Sequence, residues 1–340
     1  MTPQLSLCLP TYKRAALLGG ALRAVLEQVT PDLAPYIEVF VVDNASPDET
    51  PAVVQKAQED FPHVHIRYLR RPENIGPDAS FCGAVFEARG EFVYLLSDDD
   101  VLLPGAVAKL LELITAYPGF DAFALNVREF HRDALAETGT PVAFTLPGGA
   151  ESLVCTDRDQ ALSLLKVHIT FLSCIAFRRS NVLGYDYSPF RGTIIAQAFL
   201  FLDALAPGRG MCATRQPFLA RREGNNEGFG FFQVFVTTFQ TLMVHARRRG
   251  YSKETVRAVL RHDLEYVYHC LLIFKSGGRY GKLQLTYLDS LWTVARLLRA
   301  FGPDRLVLLQ IVPRLLVPGA VFGPLQRAYT RAKGRRGRRV

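Results

Sequence analysis

Residues 92–107 read FVYLLSDDDVLLPGAV, an apolar run that stops abruptly at three carboxylates. Phe92–Leu96 has no polar alternation, so it reads as a strand buried on both faces, as in a parallel sheet covered by helices. Ligands of such sheets bind outside the carboxyl ends of the strands. Asp98, Asp99 and Asp100 would repel one another there unless a cation or turn backbone compensates them. Asp98 and Asp100, two residues apart, can both approach one hard cation, and Mg2+ or Mn2+ binds through few carboxylates together with substrate phosphates. An acidic turn capping the next helix is the competing reading; the position straight after FVYLL favours the ligand reading.

The same alternation extends in both directions. Leu5–Leu9, Ile37–Val42, His65–Leu69 and Phe120–Val127 read as further strands, and Ala15–Gln28, a segment opened by Pro51, Ala79–Ala88 and a segment after Pro104 as helices. Polar residues follow each early strand. Pro10-Thr11-Tyr12-Lys13-Arg14 offers an aromatic face and two cations to a base and a diphosphate. Asp43 closes the second strand, either as a ligand-binding carboxylate or as the Asx-turn partner of Ser46. Asn74 and Gly76 follow the third strand, and Gly76 lets backbone approach a ligand closely. Four polar strand ends on one rim predict a nucleotide-binding edge. Beyond 130, a helix is expected at Arg158–Lys166, a strand at Thr170–Phe177, a helix through Ile194–Leu205 and a strand near Met211–Ala220. Gly224–Gly228 is expected to be a boundary loop, with helical sequence following.

Several classes are excluded by what the motifs lack. No GxGxxG follows the first strand, no GxxxxGK[ST] occurs, and there is no GxSxG elbow. The six cysteines lie at least 19 residues apart, so no CxxC pair exists and buried, reduced thiols are expected. The chain begins directly with a strand-like LSLCL, which predicts no secretory signal and a cytoplasmic location. At 340 residues and 49% apolar, it is long enough for a catalytic domain with an accessory segment. Its charge is divided: residues 1–240 carry 20 basic and 27 acidic side chains, residues 241–340 carry 20 and 5. The basic end suits an anionic surface.

The order and spacing of LSLCLPTYKRAALL, VVDNASPDET, ENIG and FVYLLSDDDVLLPGAV resemble the family 2 glycosyltransferases of GT-A fold over about residues 4–125. LSCIAFRRSNV and QAFLFLDAL…QPFLARREGN extend the likeness to about 225, toward the abequosyltransferase-like bacterial O-antigen branch. The resemblance implies an α/β GT-A domain over 1–228, with a nucleotide-sugar half (1–130) and an acceptor half (131–228). It implies inverting transfer from a nucleotide-diphosphate sugar to a glycan or lipid-linked acceptor, with Mn2+ or Mg2+. Pro10, Thr11, Tyr12 and Arg14 would frame the base, Asp43 would hold base or ribose, and Asn74, Gly76, Asp98 and Asp99 would complete the donor site. Asp100 would be the main metal ligand, with Asp98 beside it. Many relatives deprotonate the acceptor with an Asp or Glu at a helix start that here reads Ala196-Gln197, so the base is unassigned. Gln197 is expected to line the acceptor pocket. Asp186 is preferred over His168 and Asp203 as a local base; Asp203, six residues from Gln197, is expected on another side of the helix.

The resemblance does not extend over 230–340; residues 229–326 are expected to be helical, followed by a basic tail, 327–340, with seven cations from Arg327 to Arg339. Leu306–Leu325 is apolar but broken by Pro313, Arg314, Pro318 and Pro324, too broken for a bilayer span of about 20 residues. Amphipathic helices at the interface suit it better, with Trp292, Phe301 and Phe322 on apolar faces and Arg296, Arg299 and Arg305 near lipid phosphates. That predicts docking at the cytoplasmic face of the inner membrane; a helical bundle or a homo-oligomer interface is the plainer alternative. A nucleotide-sugar-binding protein without turnover, or a nucleic-acid-associated protein using the tail, completes the alternatives. Nucleic acid is the least favoured, because no stacking aromatics interleave with the tail.

Overall fold

The computed structural model describes residues 2–130, 145–222, 230–275 and 293–317 apart from 296, 300, 303 and 306. Trp292, Arg296, Phe322, the tail 327–340 and the loop Gly224–Gly228 lie outside the described residues.

The early apolar runs form a parallel sheet. β1 (Leu5–Thr11) pairs with β2 (Ile37–Asp43) and β4 (Phe92–Leu95), and β2 pairs with β3 (Ile66–Arg70), all in parallel. Every residue of β1 and β2 is buried, as expected of largely apolar strands covered on both faces by helices; the polar residues within them, Ser6 and Glu38, are hydrogen-bonded to each other, and Arg67 pairs with Glu38. The crossovers are α1 (Ala15–Leu26), α2 (Thr50–Asp60) and α3 (Pro77–Glu87). Each buried Leu, Val or Phe of these strands contributes about 1.5–3 kcal/mol relative to exposure.

Beyond β4 the sheet becomes mixed. The remaining strands are β5 (Val101–Leu102), β6 (Ala122–Phe130), β7 (Ser152–Cys155), β8 (Ile175–Arg178) and β9 (Met211–Arg222). The order is β3-β2-β1-β4-β8-β6-β9-β5, with β7 on β9. β8 runs antiparallel between β4 and β6, and β5 is antiparallel to β9. Because the chain leaves β1 for β2 on one side and meets β4 on the other, the β1/β4 junction is a topological switch point, where a crevice opens.

α4 (Ala106–Ala116), α5 (Arg158–Leu165) and α6 (Ala196–Leu205) complete the helices of this sheet. The expected strand 170–177 is shorter than its apolar character suggests. Lys166–Thr170 and Leu172–Cys174 are 3-10 turns, and only Ile175–Arg178 pairs. The cause is Ser173, whose carbonyl and hydroxyl bond to β4 and to the acidic turn rather than to a ladder.

The chain divides into two compact units, Met1–Glu223 with His245–Val259, and Gly224–Val244 with Leu260–Val340. The helical segment expected over 229–326 is shared between the two units, 245–259 clustering with the sheet. Asp203 of α6 is fully buried and accepts from Tyr187 (2.9 Å) and Arg249 (3.1 Å), and its Oδ1 lies 2.8 Å from His245 Nε2. Tyr251 donates to the Leu202 carbonyl, and the Ser252 amide to Asp159. A carboxylate without water needs such partners, and they come from this later stretch. α7 (Phe239–Arg248) and α8 (Lys253–Lys275) carry it.

The described part of the second unit is helical, with a π-type turn at Gln233–Thr238, another at Val307–Ile311 and a short helix Val312–Leu316. Among the described residues no helix is long and apolar enough to cross a membrane. Arg299 and Arg305 are exposed and Phe301 is half-buried. All six cysteines are free and buried.

Candidate active site

The acidic turn sits at the switch point and is fastened from both sides. Thr11, the last residue of β1, donates to Asp98 Oδ2 at 2.7 Å, and Arg14 Nη1 donates to Asp98 Oδ1 at 3.0 Å. Arg14 also reaches Asp99 Oδ2 at 3.4 Å, and Ser97 donates to Asp99 Oδ1. Both oxygens of Asp98 are thus engaged by protein donors. Burial raises its pKa to about 6 against the opposing pull of Arg14 and the Thr11 hydrogen bond.

Asp100 is held differently. Ser173 Oγ donates to its Oδ2 at 2.8 Å, while Ser173 accepts from the Ser97 amide through the same hydroxyl and from Tyr94 through its carbonyl. The carboxyl is 1% exposed, and burial, reinforced by Asp99, pushes its pKa up to about 8. One cation opposes that shift from within the protein: Arg221. Arg221 follows Ala220, the partner of Val101 in the last ladder pair of β5 and β9, and its guanidinium lies 5.6 Å from the Phe171 ring centroid.

Along the rim, Asp43 accepts from the Ser46 amide at 2.8 Å and from Tyr68 Oη at 2.7 Å. The Asx turn is therefore real, and Arg70 stands 3.6 Å away. Ala45 and Lys13 adopt left-handed backbone (φ 64° and 57°), and the Lys13 amide donates to Ser46 Oγ, joining the loops after β1 and β2. Asn44 organises the third loop: its amide donates to Asn74 Oδ1 (2.9 Å) and the Gly76 carbonyl (3.3 Å), and it accepts from the Ile75 amide. Gly76 takes φ 84°, a conformation open to glycine at no steric cost. Pro10 is buried within β1, and the Tyr12 ring is 42% exposed, leaving an aromatic face on this rim.

The acceptor-side residues are more scattered. Gln197, the second residue of α6, is 3% exposed; its amide donates to the Thr170 carbonyl at 2.9 Å, and its buried Oε1 has no donor among the described residues. Asp186 is exposed and accepts from the Ser188 amide and hydroxyl, an arrangement that closes a surface turn and lowers its pKa. His168 is half-buried in a 3-10 turn, where its carbonyl accepts from the Phe171 amide. Asp203 is enclosed by its own partners and presents no oxygen for catalysis.

The sequence therefore located Thr11, Arg14, Asp43, Asn74, Gly76 and Asp98–Asp100 at one sheet edge, and it missed Asn44, Tyr68, Ser173 and Arg221. Arg221 and Ser173 lie within the quoted stretches QPFLARREGN and LSCIAFRRSNV, but nothing local singles out either. Among the described residues, no group of three or more His, Cys, Asp or Glu converges as a metal cage. Asp100 nevertheless fits a divalent cation. It is a carboxyl of raised pKa at a strand end, with like charges beside it and one oxygen taken by a hydroxyl, and a cation shared with phosphates would relieve that repulsion. Asp98 is less available, being bonded on both oxygens.

Known proteins share both sequence and fold with this chain. An abequosyltransferase, RfbV of Salmonella typhimurium, is 32% identical over 234 residues, 66% of this chain and 68% of that protein. A GalNAc(5)-diNAcBac-PP-undecaprenol beta-1,3-glucosyltransferase of Campylobacter jejuni is 36% identical over 110 residues, 32% of this chain and only 34% of the relative. Among solved structures, S. aureus TarS 1-349 covers 94% of this chain and 88% of its own at TM-score 0.62 and 16% identity. A mannosyltransferase from Pyrobaculum calidifontis, in complex with GDP-Man and Mn2+, covers 95% and 87% at TM-score 0.52 and 19% identity. These likenesses give the fold as GT-A. With the Glycosyl transferase family 2 model matching residues 6–183, the chain belongs to glycosyl transferase family 2.

Proposed function

We propose that the protein transfers a sugar from a nucleotide-diphosphate sugar to a hydroxyl of a glycan acceptor, a lipid-linked or surface-polysaccharide intermediate, with inversion. The observation that carries this reading is the acidic turn at the switch point, where the buried Asp100 is held by the Ser173 hydroxyl and feels the charge of Arg221, beside the Asp43 and Asn74–Gly76 rim. The name of one relative supports the acceptor class, since it acts on an undecaprenol-linked glycan.

In this reading the Tyr12 face and Asp43 receive the nucleoside, and Asn44 keeps the Asn74–Gly76 backbone in place for the donor. Asp100 would hold a divalent metal, which supplies positive charge to the leaving diphosphate. Arg221 supplies a second positive charge from the protein itself, and preorganised charge of this kind is worth most in a water-poor site. Thr11 and Arg14 fix the acidic turn so that Asp100 does not have to reorganise as charge develops. Gln197 accepts a hydrogen bond from the acceptor hydroxyl through its unpartnered Oε1, orienting it without taking its proton.

Replacing Arg221 with alanine should lower kcat about tenfold to a hundredfold with a smaller change in donor KM, because its charge matters most when the diphosphate leaves. Initial rates at saturating donor check this; an unchanged kcat removes Arg221 from the mechanism.

The test of the function is a panel of nucleotide sugars offered with lipid-linked and polysaccharide acceptors, with products identified by mass spectrometry. Because a glutamine stands where many relatives carry an acid, donor binding without product across the panel would favour a binding protein without turnover. The charge imbalance of residues 241–340 supports docking on anionic membrane, where a lipid-linked acceptor resides. Flotation with liposomes should then require anionic lipid, weaken in salt and fall when 327–340 is removed; equal binding to neutral liposomes would reject this docking.

A further inference from the structure

We infer that Asp78 is a positioning residue that ties the donor loop to the start of the acceptor-side helix α6, so that loop occupancy and helix order change together. This inference rests on the assignment of Asn74–Gly76 to the donor.

α6 begins without a cap of its own. Its N-cap residue is Ile195, and no side chain of its own segment serves the first amides, which in any helix lack intrahelical partners. The preceding residue, Ile194, holds φ 70°, a conformation that is a genuine outlier for a β-branched side chain. Both problems are met from 116 or more residues away: Asp78 Oδ2 accepts from the Ile194 amide and Oδ1 from the Ala196 amide, each at 3.0 Å. Asp78 is 4% exposed, and α3 packs against α6. The residue after Ala196 is Gln197, with its buried, unpartnered Oε1.

On its other side Asp78 is two residues from Gly76. Asn44 grips that segment at the Asn74 side chain, the Ile75 amide and the Gly76 carbonyl. A single residue, Pro77, therefore separates a loop held by Asn44, just past β2, from the Asp78 carboxylate held at the start of α6. There is little slack in so short a link. A shift of the loop must move the carboxylate that fixes Ile194 and Ala196, and with them the approach of Gln197.

The alternative is that Asp78 is a cap and nothing more. Hydrogen–deuterium exchange on the full chain separates the two, with UDP, GDP, CDP and dTDP added in turn in the presence of Mn2+. In the unsubstituted protein, the nucleotide that slows exchange over 74–76 should also slow it over 194–198. In Asp78→Asn, one of the two accepting oxygens becomes a donor, so basal exchange over 194–198 should rise roughly fivefold to tenfold. The nucleotide should still protect 74–76 but no longer protect 194–198. In transfer assays the same variant should raise acceptor KM more than donor KM. A nucleotide response at 194–198 that persists in Asp78→Asn would show a simple cap and overturn the proposal. So would an unsubstituted protein whose 194–198 ignores a nucleotide that protects 74–76, a comparison that needs no variant to fold. If no nucleotide protects 74–76, the donor assignment itself falls, and this inference with it.

Discussion

Asp100→Asn is expected to reduce sugar transfer by at least about a hundredfold while leaving the fold intact. The substitution is nearly isosteric, and the Ser173 hydroxyl can still bond to the amide oxygen, so the turn after β4 keeps its shape. What disappears is the one carboxylate of the turn that no cationic side chain is hydrogen-bonded to, Asp98 and Asp99 both being bound to Arg14. A neutral amide is a poor ligand for a hard cation. Nucleotide binding should survive in part through the Asp43 and Asn74–Gly76 rim, so a sharp fall in kcat with a measurable donor complex is the expected pattern. Steady-state kinetics over a wide Mn2+ range, with circular dichroism as a control, checks it. Undiminished transfer in saturating Mn2+ would remove Asp100 from the site.

The largest effect on stability is expected at Asp203. It is fully buried and contacted by Tyr187, His245 and Arg249, from a turn before α6 and from helix α7 and the residue after it. Asp203→Asn preserves volume but turns one accepting oxygen into a donor that faces donors. Arg249 is only 28% exposed and would lose its counter-charge. Removing one partner of a buried pair costs about 3–5 kcal/mol, which in a chain of this size lowers Tm by roughly 5–10 °C. Thermal unfolding followed by circular dichroism measures it. A change within about 1 °C would mean that the cluster is solvated or replaceable. The nucleotide rim shares no partner with Asp203, so at low temperature donor KM should remain near its original value.

The donor half was legible because its strands β1, β2 and β4 are mostly apolar and each is followed by polar residues. The period and the stop are both local signals. Thr11, Asp43 and Asp98–Asp100 were found by that punctuation alone. Ser173 was hidden, since its partners lie 73 to 79 residues away and its own neighbourhood reads as a strand. Asn44 was overlooked beside the more conspicuous Asp43, although it holds the whole Asn74–Gly76 loop. Asp186 illustrates the opposite case. An acid beside aromatics in a turn suggested chemistry, and the structure shows it bonded to Ser188 two residues on, as acids in turns commonly are. Composition changes near 230, whereas 245–259 is tied to the sheet unit by individual hydrogen bonds that composition does not record.

The helix starts around the site have a bearing on how such an enzyme could be re-engineered. α1 takes its first-turn cap from Asp48, in the loop after β2, and α6 takes its cap from Asp78, at the start of α3. Neither helix carries the residue that closes its own end. A loop transplanted from a relative to change donor preference would therefore bring or remove the cap of a helix elsewhere in the chain. Residues 44–50 form one unit of exchange with 13–15, and 74–78 with 194–197. Chimeras cut at those paired borders keep both helix ends closed, while those cut at a single border leave one open, so specificity in this fold is inherited in pairs of segments.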